Sequence, residues 1–120
     1  GVNYLKEQSL VDLIEVPEGP YLMIDIEDGR ARLNVTPSVS LETISAESRS
    51  PFTTFEGIAF GIVFPIVLAH HNLDIIGSRC GSDFFPYLYL HDGKPTLYGS
   101  WGVSASPGWG APSCGSRLGA

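Results

Sequence analysis

Two cysteine-centred strings hold the residue types best suited to chemistry in this chain. The first is Gly77-Ser78-Arg79-Cys80-Gly81-Ser82, and the second is Ser113-Cys114-Gly115-Ser116-Arg117. A cysteine nucleophile needs a lowered pKa, which a nearby base, an arginine or a helix N-terminus can supply. Glycines beside Cys80 would let backbone N–H groups approach a developing oxyanion. A small buried thiol at the end of a strand explains the same residues, and this is the commoner use of a free cysteine.

The spacing of the cysteines, glycines and histidines bears on whether they could form a disulfide, a metal site or a phosphate-binding loop. A disulfide between Cys80 and Cys114 would need Cα atoms within about 7 Å, which the sequence leaves open. Neither cysteine has the C-x-x-C partner of structural zinc, and the glycine–serine strings lack the phosphate-loop pattern. Adjacent helical side chains such as His70 and His71 point about 100° apart, so they are poor partners for one ion. We therefore expect no metal ion and no cofactor.

The first of two Asp-Gly pairs predicts a β-hairpin over residues 21–35. Counting outward from the turn pairs Asp25 with Arg32 and Glu27 with Arg30 on one face, and places apolar residues on the other. The two carboxylates resemble an acid–base pair. Because each would face an arginine across the strands, a solvated charged face is the favoured interpretation.

The second Asp-Gly pair predicts a hairpin from residues 85–91 and 95–101, with Tyr87 opposite Tyr98 and Tyr89 opposite Thr96. Both faces would carry large apolar groups, so the aromatic face needs a cover: a helix, the last loop, a second subunit or a ligand. Residues 102–120 have almost no charge and are expected to lie along the protein with Trp109 as the anchor. The candidate binding residues are Arg79, Cys80, Tyr87, Tyr98, Trp101, Trp109 and Cys114.

Apolar periodicity and capping residues predict the remaining elements. The predicted segments are a helix over residues 5–16, a helix over 38–47 with Thr36 as N-cap and Pro37 at N1, a helix opened by the Thr53–Glu56 capping box, a short helix from Pro65 to the histidines, and a buried strand over residues 73–78. The helix after Thr53 is apolar on nearly every side, which predicts a central position or a subunit interface.

Composition excludes several classes of partner. The 120 residues carry a formal net charge of −6 with seven scattered lysines and arginines, so neither nucleic acid nor an anionic membrane surface is expected to bind. The first seven residues lack the pattern of a signal peptide, and the apolar run over residues 57–69 is too short to span a bilayer. We expect a soluble, cytoplasmic, single-domain protein.

Several short motifs agree jointly with one known family. Asn34-Val35-Thr36-Pro37, Glu56-Gly57-Ile58-Ala59, Gly77-Ser78-Arg79-Cys80-Gly81 and Ser113-Cys114-Gly115, with tryptophans near 101 and 109, resemble an uncharacterised, mainly actinobacterial family. The resemblance covers roughly residues 15–118. It implies that Arg79, Cys80 and Cys114 belong to a family pattern, and it implies no activity, substrate or cofactor. The stretch Ser106-Pro107-Gly108 departs from the polar or histidine residues that members often carry there.

The predicted fold class is α+β, with one antiparallel sheet of about five strands built from both hairpins and the central strand, and with helices on one face. The first functional hypothesis is a non-enzymatic module that binds a small molecule or a protein, with a homodimer through the apolar helix or the aromatic face. The second is a thiol-dependent enzyme or redox protein that uses Cys80, with Cys114 and His70 or His71. In the third, both cysteines are inert packing residues.

Overall fold

A computed structural model describes residues 2–3, 10–81 and 84–119 of the chain. The strands are β1 (Val2–Asn3), β2 (Leu10–Asp12), β3 (Tyr21–Ile24), β4 (Ser50–Pro51), β5 (Asn72–Asp74), β6 (Ser78–Cys80), β7 (Phe84–His91), β8 (Lys94–Trp101), β9 (Trp109–Gly110), β10 (Ser113–Cys114) and β11 (Ser116–Gly119). The helices are α1 (Pro37–Ala46), α2 (Thr54–Val63) and α3 (Pro65–His70), with a short 3₁₀ helix at Arg30–Arg32.

The β7–β8 hairpin has the predicted register. Tyr87 lies opposite Tyr98, and Tyr89 lies opposite Thr96. The turn residues Asp92 and Gly93 have φ angles of 51° and 74°, as a type I′ turn requires. The second hairpin of the sequence analysis is therefore confirmed.

This hairpin forms the centre of a five-stranded sheet with the order β1-β8-β7-β5-β9. The sheet is mixed, because β1 pairs parallel with β8 and β9 pairs parallel with β5. The chain has both helices and antiparallel pairs, which supports the α+β class. The predicted all-antiparallel sheet built from two hairpins is wrong.

The first predicted hairpin does not form. Strand β3 pairs instead with β11 at the end of the chain, and residues 30–32 wind into the 3₁₀ helix. The chain turns away after β3, where Asp25 takes a φ of 58°. Glu27 pairs with Arg32, and Asp25 pairs with Arg49 at 2.8 Å. Both carboxylates therefore pair with arginines as expected, but with different arginines and not across the strands of a hairpin.

The predicted helix over residues 5–16 is wrong in the part that the structure describes. Residues 10–12 form β2, which pairs antiparallel with β6, and residues 13–16 are irregular. Residues 5–9 of that prediction lie outside the described residues. An apolar pattern of this length is compatible with either a short strand or a helix. Here the pairing with β6 makes residues 10–12 a strand.

The other helices begin where their caps predict. Thr36 caps α1 with Pro37 at N1, and Thr53 and Glu56 form a reciprocal capping box at α2. Pro65 separates α2 from α3 as expected. Within residues 10–81 and 84–119, no helix is long and apolar enough to cross a membrane.

Helices pack on both faces of the sheet, which corrects the one-sided prediction. Leu73, Leu88 and Leu97 face α2 and α3, and Gly61 lets α2 approach Leu88 closely because a Cβ there would overlap the leucine side chain. On the other face, Phe85 joins Ile44 of α1 in a second buried cluster.

The predicted strand over residues 73–78 is divided. Strand β5 ends at Asp74, and the chain bends before it enters β6 at Ser78. Gly77 lies at this bend, where its N–H donates to the carbonyl oxygen of Phe52 at 2.7 Å. A Cβ on Gly77 would overlap the backbone of Phe52, so the glycine is required for close backbone packing.

Candidate functional site

A cleft of about 480 Å³ lies between the open end of the β7–β8 hairpin and the loop of residues 102–108. It forms because the loop leaves β8 and returns to the sheet at β9, on the far side of β7 and β5. The described lining residues are Phe84, Tyr98, Gly99, Ser100, Trp101, Ser104, Ala105, Ser106 and Trp109. None of these described residues carries a formal charge.

Aromatic rings form the walls of this cleft. The rings of Phe84 and Trp101 meet edge-on with centroids 4.8 Å apart, as expected for the last pair of the hairpin ladder. Behind the cleft, the Tyr87 ring lies 4.2 Å from Trp109 and 6.3 Å from Tyr98. Alternation along β7 and β8 places Tyr87 and Tyr98 on one face, so the aromatic ladder is a direct consequence of the strand pattern.

The loop over the cleft is tethered at both ends. The Ser38 N–H at the start of α1 donates to the carbonyl oxygen of Gly102 at 3.1 Å. At the other end, the Asn72 N–H donates to the carbonyl oxygen of Gly108 at 2.7 Å. The wall formed by residues 104–106 is therefore positioned before any molecule enters.

Ser100 is a buried polar residue of the cleft lining, which also includes Ser104 and Ser106. The residue is 9% exposed, and its hydroxyl has no hydrogen-bond partner among the described residues. Because the Oγ atom itself is buried, it lies beneath the cleft surface, and Ser104 and Ser106 are the more accessible serines of the lining.

Asp74 lies on the same sheet face, opposite Tyr87. It is 2% exposed, and its Oδ1 has no hydrogen-bond partner in the described part of the chain. Burial raises the pKa of Asp74 from 3.8 to about 7. Burial also raises the pKa of Tyr87, with smaller contributions from the neighbouring tyrosines and Asp74. The floor behind the cleft thus holds a carboxyl group that is readily protonated near neutral pH.

The structure divides the predicted site residues into two groups. Tyr98, Trp101 and Trp109 line the cleft, and Tyr87 packs behind it. Arg79 and Cys80 lie on β6, which pairs with β2, and Cys114 lies in the core cluster beside Phe52. The two cysteine strings therefore do not form one site with the aromatic residues.

Comparison with known proteins gives one match. A model described as a family of unknown function, DUF5701, matches residues 3–107. The chain belongs to this family. Comparisons with curated proteins and with solved structures find no match. The family match includes Ser100 and Trp101 but ends before Trp109, so one wall of the cleft lies beyond it.

Both thiols of this DUF5701 member are free and buried. Burial raises the pKa of Cys80, and it also raises the pKa of Cys114. Cys80 is 8% exposed on a strand, and Cys114 is fully buried. A raised pKa reduces the thiolate fraction, which is the opposite of what a cysteine nucleophile requires.

Thiol labelling of the native protein with a chromogenic disulfide is expected to be slow at both cysteines. Buried thiols react only through local opening, so we expect labelling to be at least roughly 100-fold slower than in denaturant, or about 3 kcal/mol of opening free energy. A Val103→Cys variant provides the control, because Val103 is 77% exposed and a thiol there is expected to react rapidly. Fast native labelling of Cys80 would contradict the assignment of both cysteines as packing residues.

The two histidines are closer together than helical geometry predicts. Their Nδ1 atoms lie 2.9 Å apart, because α3 ends at His70 and His71 is extended. The Nε2 of His71 lies 2.7 Å from the carbonyl oxygen of Asp28. Among residues 10–81 and 84–119, no three side chains of His, Cys, Asp or Glu come together as a metal-binding group.

A larger cleft of about 600 Å³ lies between α1 and the loop after β3. Its charged groups are already paired: Arg32 with Glu27 and Glu47, and Arg49 with Asp25. A ligand there would have to displace these ion pairs. The described lining of the aromatic cleft has no ion pairs for a ligand to displace, so this cleft is the stronger candidate for a binding site.

Sequence reasoning missed two parts of this arrangement. Phe84 and Ser100 belong to the cleft, and alternation along β8 could have indicated only Ser100, which shares a sheet face with Tyr98. It also missed a buried ion pair in which Arg117 donates to Glu56 through Nε and Nη2, at 2.6 and 2.7 Å. An arginine in an almost uncharged tail was the available signal for this pair.

Proposed function

We propose that this domain binds a small, neutral, ring-bearing molecule non-covalently in the aromatic cleft. The observation that carries the proposal is the pair of exposed aromatic rings in the lining of the cleft, Trp101 and Tyr98. A ligand with a hydroxyl, carbonyl or amine group could also hydrogen-bond to Ser104, which is an exposed residue of the same lining.

The walls favour a ring over an open chain. Trp101 is 57% exposed and Tyr98 is 44% exposed, so both present aromatic surface to a ligand. Apolar, aromatic lining with a few polar groups is typical of small-molecule sites. Ring stacking contributes about 0.5–1.5 kcal/mol beyond the burial of area. The absence of charge among the described lining residues favours a neutral ligand.

The tethered loop supports binding further. Because hydrogen bonds hold both ends of residues 102–108, less ordering is needed when a ligand enters. Preorganisation of this kind increases affinity by lowering the entropy cost of association. The alternative, a thiol-dependent enzyme, has less support, since both thiols are buried and each has a raised pKa.

Saturation-transfer NMR with phenol, indole and methyl β-glucoside as probes tests the proposal. At least one probe is expected to bind the protein, and Trp101→Ala is expected to weaken that binding about tenfold. Trp101 is half exposed, so its loss is compatible with folding. The matched control is Phe55→Ala, which removes a 78% exposed ring outside the cleft and should leave binding unchanged.

A Ser104→Ala variant separates ring stacking from hydroxyl recognition, because Ser104 is an exposed residue of the cleft lining. It is expected to weaken phenol while leaving toluene unaffected, since toluene has no group to pair with the hydroxyl. The proposal is wrong if none of the three probes binds, or if Trp101→Ala and Phe55→Ala have equal effects.

A further inference from the structure

Helices α2 and α3 expose a set of large apolar side chains on the face opposite the sheet. Phe55 and Ile66 are 78% and 74% exposed, and the same surface includes Ile62, Val63 and Phe64. Together the exposed parts of these five side chains present on the order of 600 Å² of apolar surface, the upper end for the largest patch on a monomer. We call this surface the α2–α3 face.

The α2–α3 face contains both a projection and a groove. A groove of about 370 Å³ runs between α2 and the segment that enters β3, lined by Tyr21, Met23, Phe60 and Val63 among others. Phe55 lies at its rim. A two-fold interface needs one patch that complements itself, and a projecting ring beside an apolar groove meets that requirement.

The polar groups at the base of the groove are already satisfied. The Tyr21 hydroxyl donates to Glu56 Oε2 at 2.7 Å, and Arg117 donates to both carboxylate oxygens. No polar group of this network needs an incoming partner. The groove therefore favours an apolar occupant such as an aromatic side chain.

A second copy of the same chain fits this self-complementary face, and charge does not prevent its approach. A net charge of −6 makes two copies repel each other over most of their surface. Residues 57–69 carry no charged side chain, and the one carboxylate beside them, Glu56, is paired with Arg117. The α2–α3 face is thus a region where two copies approach with little repulsion.

We propose that the domain forms a two-fold homodimer through the α2–α3 face, with Phe55 of each copy inserted into the groove of the other. A standard interface buries about 800 Å² on each partner. The exposed apolar centre supplies most of that area, and the surrounding polar residues supply the rim. The dimer leaves the aromatic cleft on a separate surface, so this inference is independent of ligand binding.

Sedimentation velocity of the full chain tests the dimer. The wild type is expected to sediment at twice the chain mass of 12.9 kDa, with a Kd below about 10 µM. Phe55→Ser is expected to weaken association by roughly 30-fold or more, as for a buried aromatic hot spot. Ile62→Glu should give a monomer, because it places a charge from each copy within the apolar interface. Val11→Ser is the matched control, since Val11 is 59% exposed elsewhere and should not affect the dimer.

Circular dichroism establishes that each variant keeps its fold, and the two variants on α2 replace different side chains in case one unfolds. A wild type that remains monomeric at about 100 µM overturns the proposal. So does a dimer that both α2 variants leave intact, which would place the interface elsewhere. A monomer that binds detergent micelles through the same residues would also overturn the proposal, because the α2–α3 face would then bind an apolar surface and not a second copy.

Discussion

Replacing Arg117 with alanine is expected to lower the free energy of unfolding by about 3–5 kcal/mol, because it leaves the Glu56 carboxylate buried without its cation. The side chains of Arg117 and Glu56 are 8% and 2% exposed. Arg117 also donates to Ser50 Oγ at 2.7 Å and to the carbonyl oxygen of Pro51 at 2.9 Å. One side chain therefore joins β11, β4 and the start of α2. Urea denaturation at pH 7 measures the loss.

Two variants control this experiment. Arg30→Ala removes a pair with Asp28 in which the arginine side chain is 54% exposed, and it should change stability by less than about 1 kcal/mol. The double variant Glu56→Gln with Arg117→Met removes both charges, and it should be more stable than Arg117→Ala alone. A loss below about 1 kcal/mol for Arg117→Ala would contradict the role given to this ion pair.

The same ion pair has a defined pH dependence. Burial alone would raise the pKa of Glu56, but hydrogen bonds from Arg117, the Thr53 N–H and Tyr21 outweigh it and lower the pKa below 4.5. A lowered carboxyl pKa gives stability that is present above the unfolded-state value and is lost as pH falls through the folded-state value. This acid-dependent loss should be smaller in Arg117→Ala.

Replacing Asp74 with asparagine is expected to remove a loss of stability that the wild type shows between pH 5 and pH 8. Burial raises the pKa of Asp74 to about 7, so the folded state favours the protonated form. The stability of the wild type is therefore fully present below the unfolded-state pKa and falls as pH rises towards 7. Between pH 5 and pH 8 this loss is about 2–3 kcal/mol, and the asparagine variant lacks it.

Denaturant unfolding of both proteins at the two pH values measures the difference. The matched control is Glu42→Gln on α1, where the glutamate is exposed. It should show the same pH dependence as the wild type. Equal pH dependence in wild type and Asp74→Asn would contradict the burial of the Asp74 carboxyl group as the cause of its raised pKa.

Local signals predicted the elements that local interactions determine. The β7–β8 hairpin depends on an Asp-Gly turn and on alternation within eighteen residues, so its register could be counted from the sequence. The starts of α1 and α2 depend on Thr36 and Thr53, whose side chains cap backbone N–H groups three residues away.

Pairings between distant segments could not be predicted in this way. The alternation over residues 21–35 fits a hairpin, yet β3 pairs with β11, more than ninety residues along the chain. Strand β2 similarly pairs with β6, which overrides the helical spacing of its apolar residues. A single sequence contains no local signal that distinguishes such partners.

The candidate site also combines residues that lie close in sequence with residues that only the fold brings together. Tyr98 and Trp101 belong to one strand, and the loop of residues 102–108 brings Trp109 back to the same cleft. Cys80 and Cys114 have similar sequence surroundings, but their strands pair with β2 and β4 respectively. The two strings nevertheless meet the same segment, because Gly77 packs against Phe52 and Ser113 pairs with Pro51.

The indole N–H signals in a ¹H–¹⁵N correlation spectrum test the cleft most directly. The chain has two tryptophans, Trp101 and Trp109, and both line the cleft. Addition of a binding probe such as phenol is expected to shift both indole signals in proportion to occupancy, while the backbone signals of α2 stay in place. Shifts confined to α2, or two indole signals unchanged at saturating probe, would contradict the aromatic cleft as the binding site.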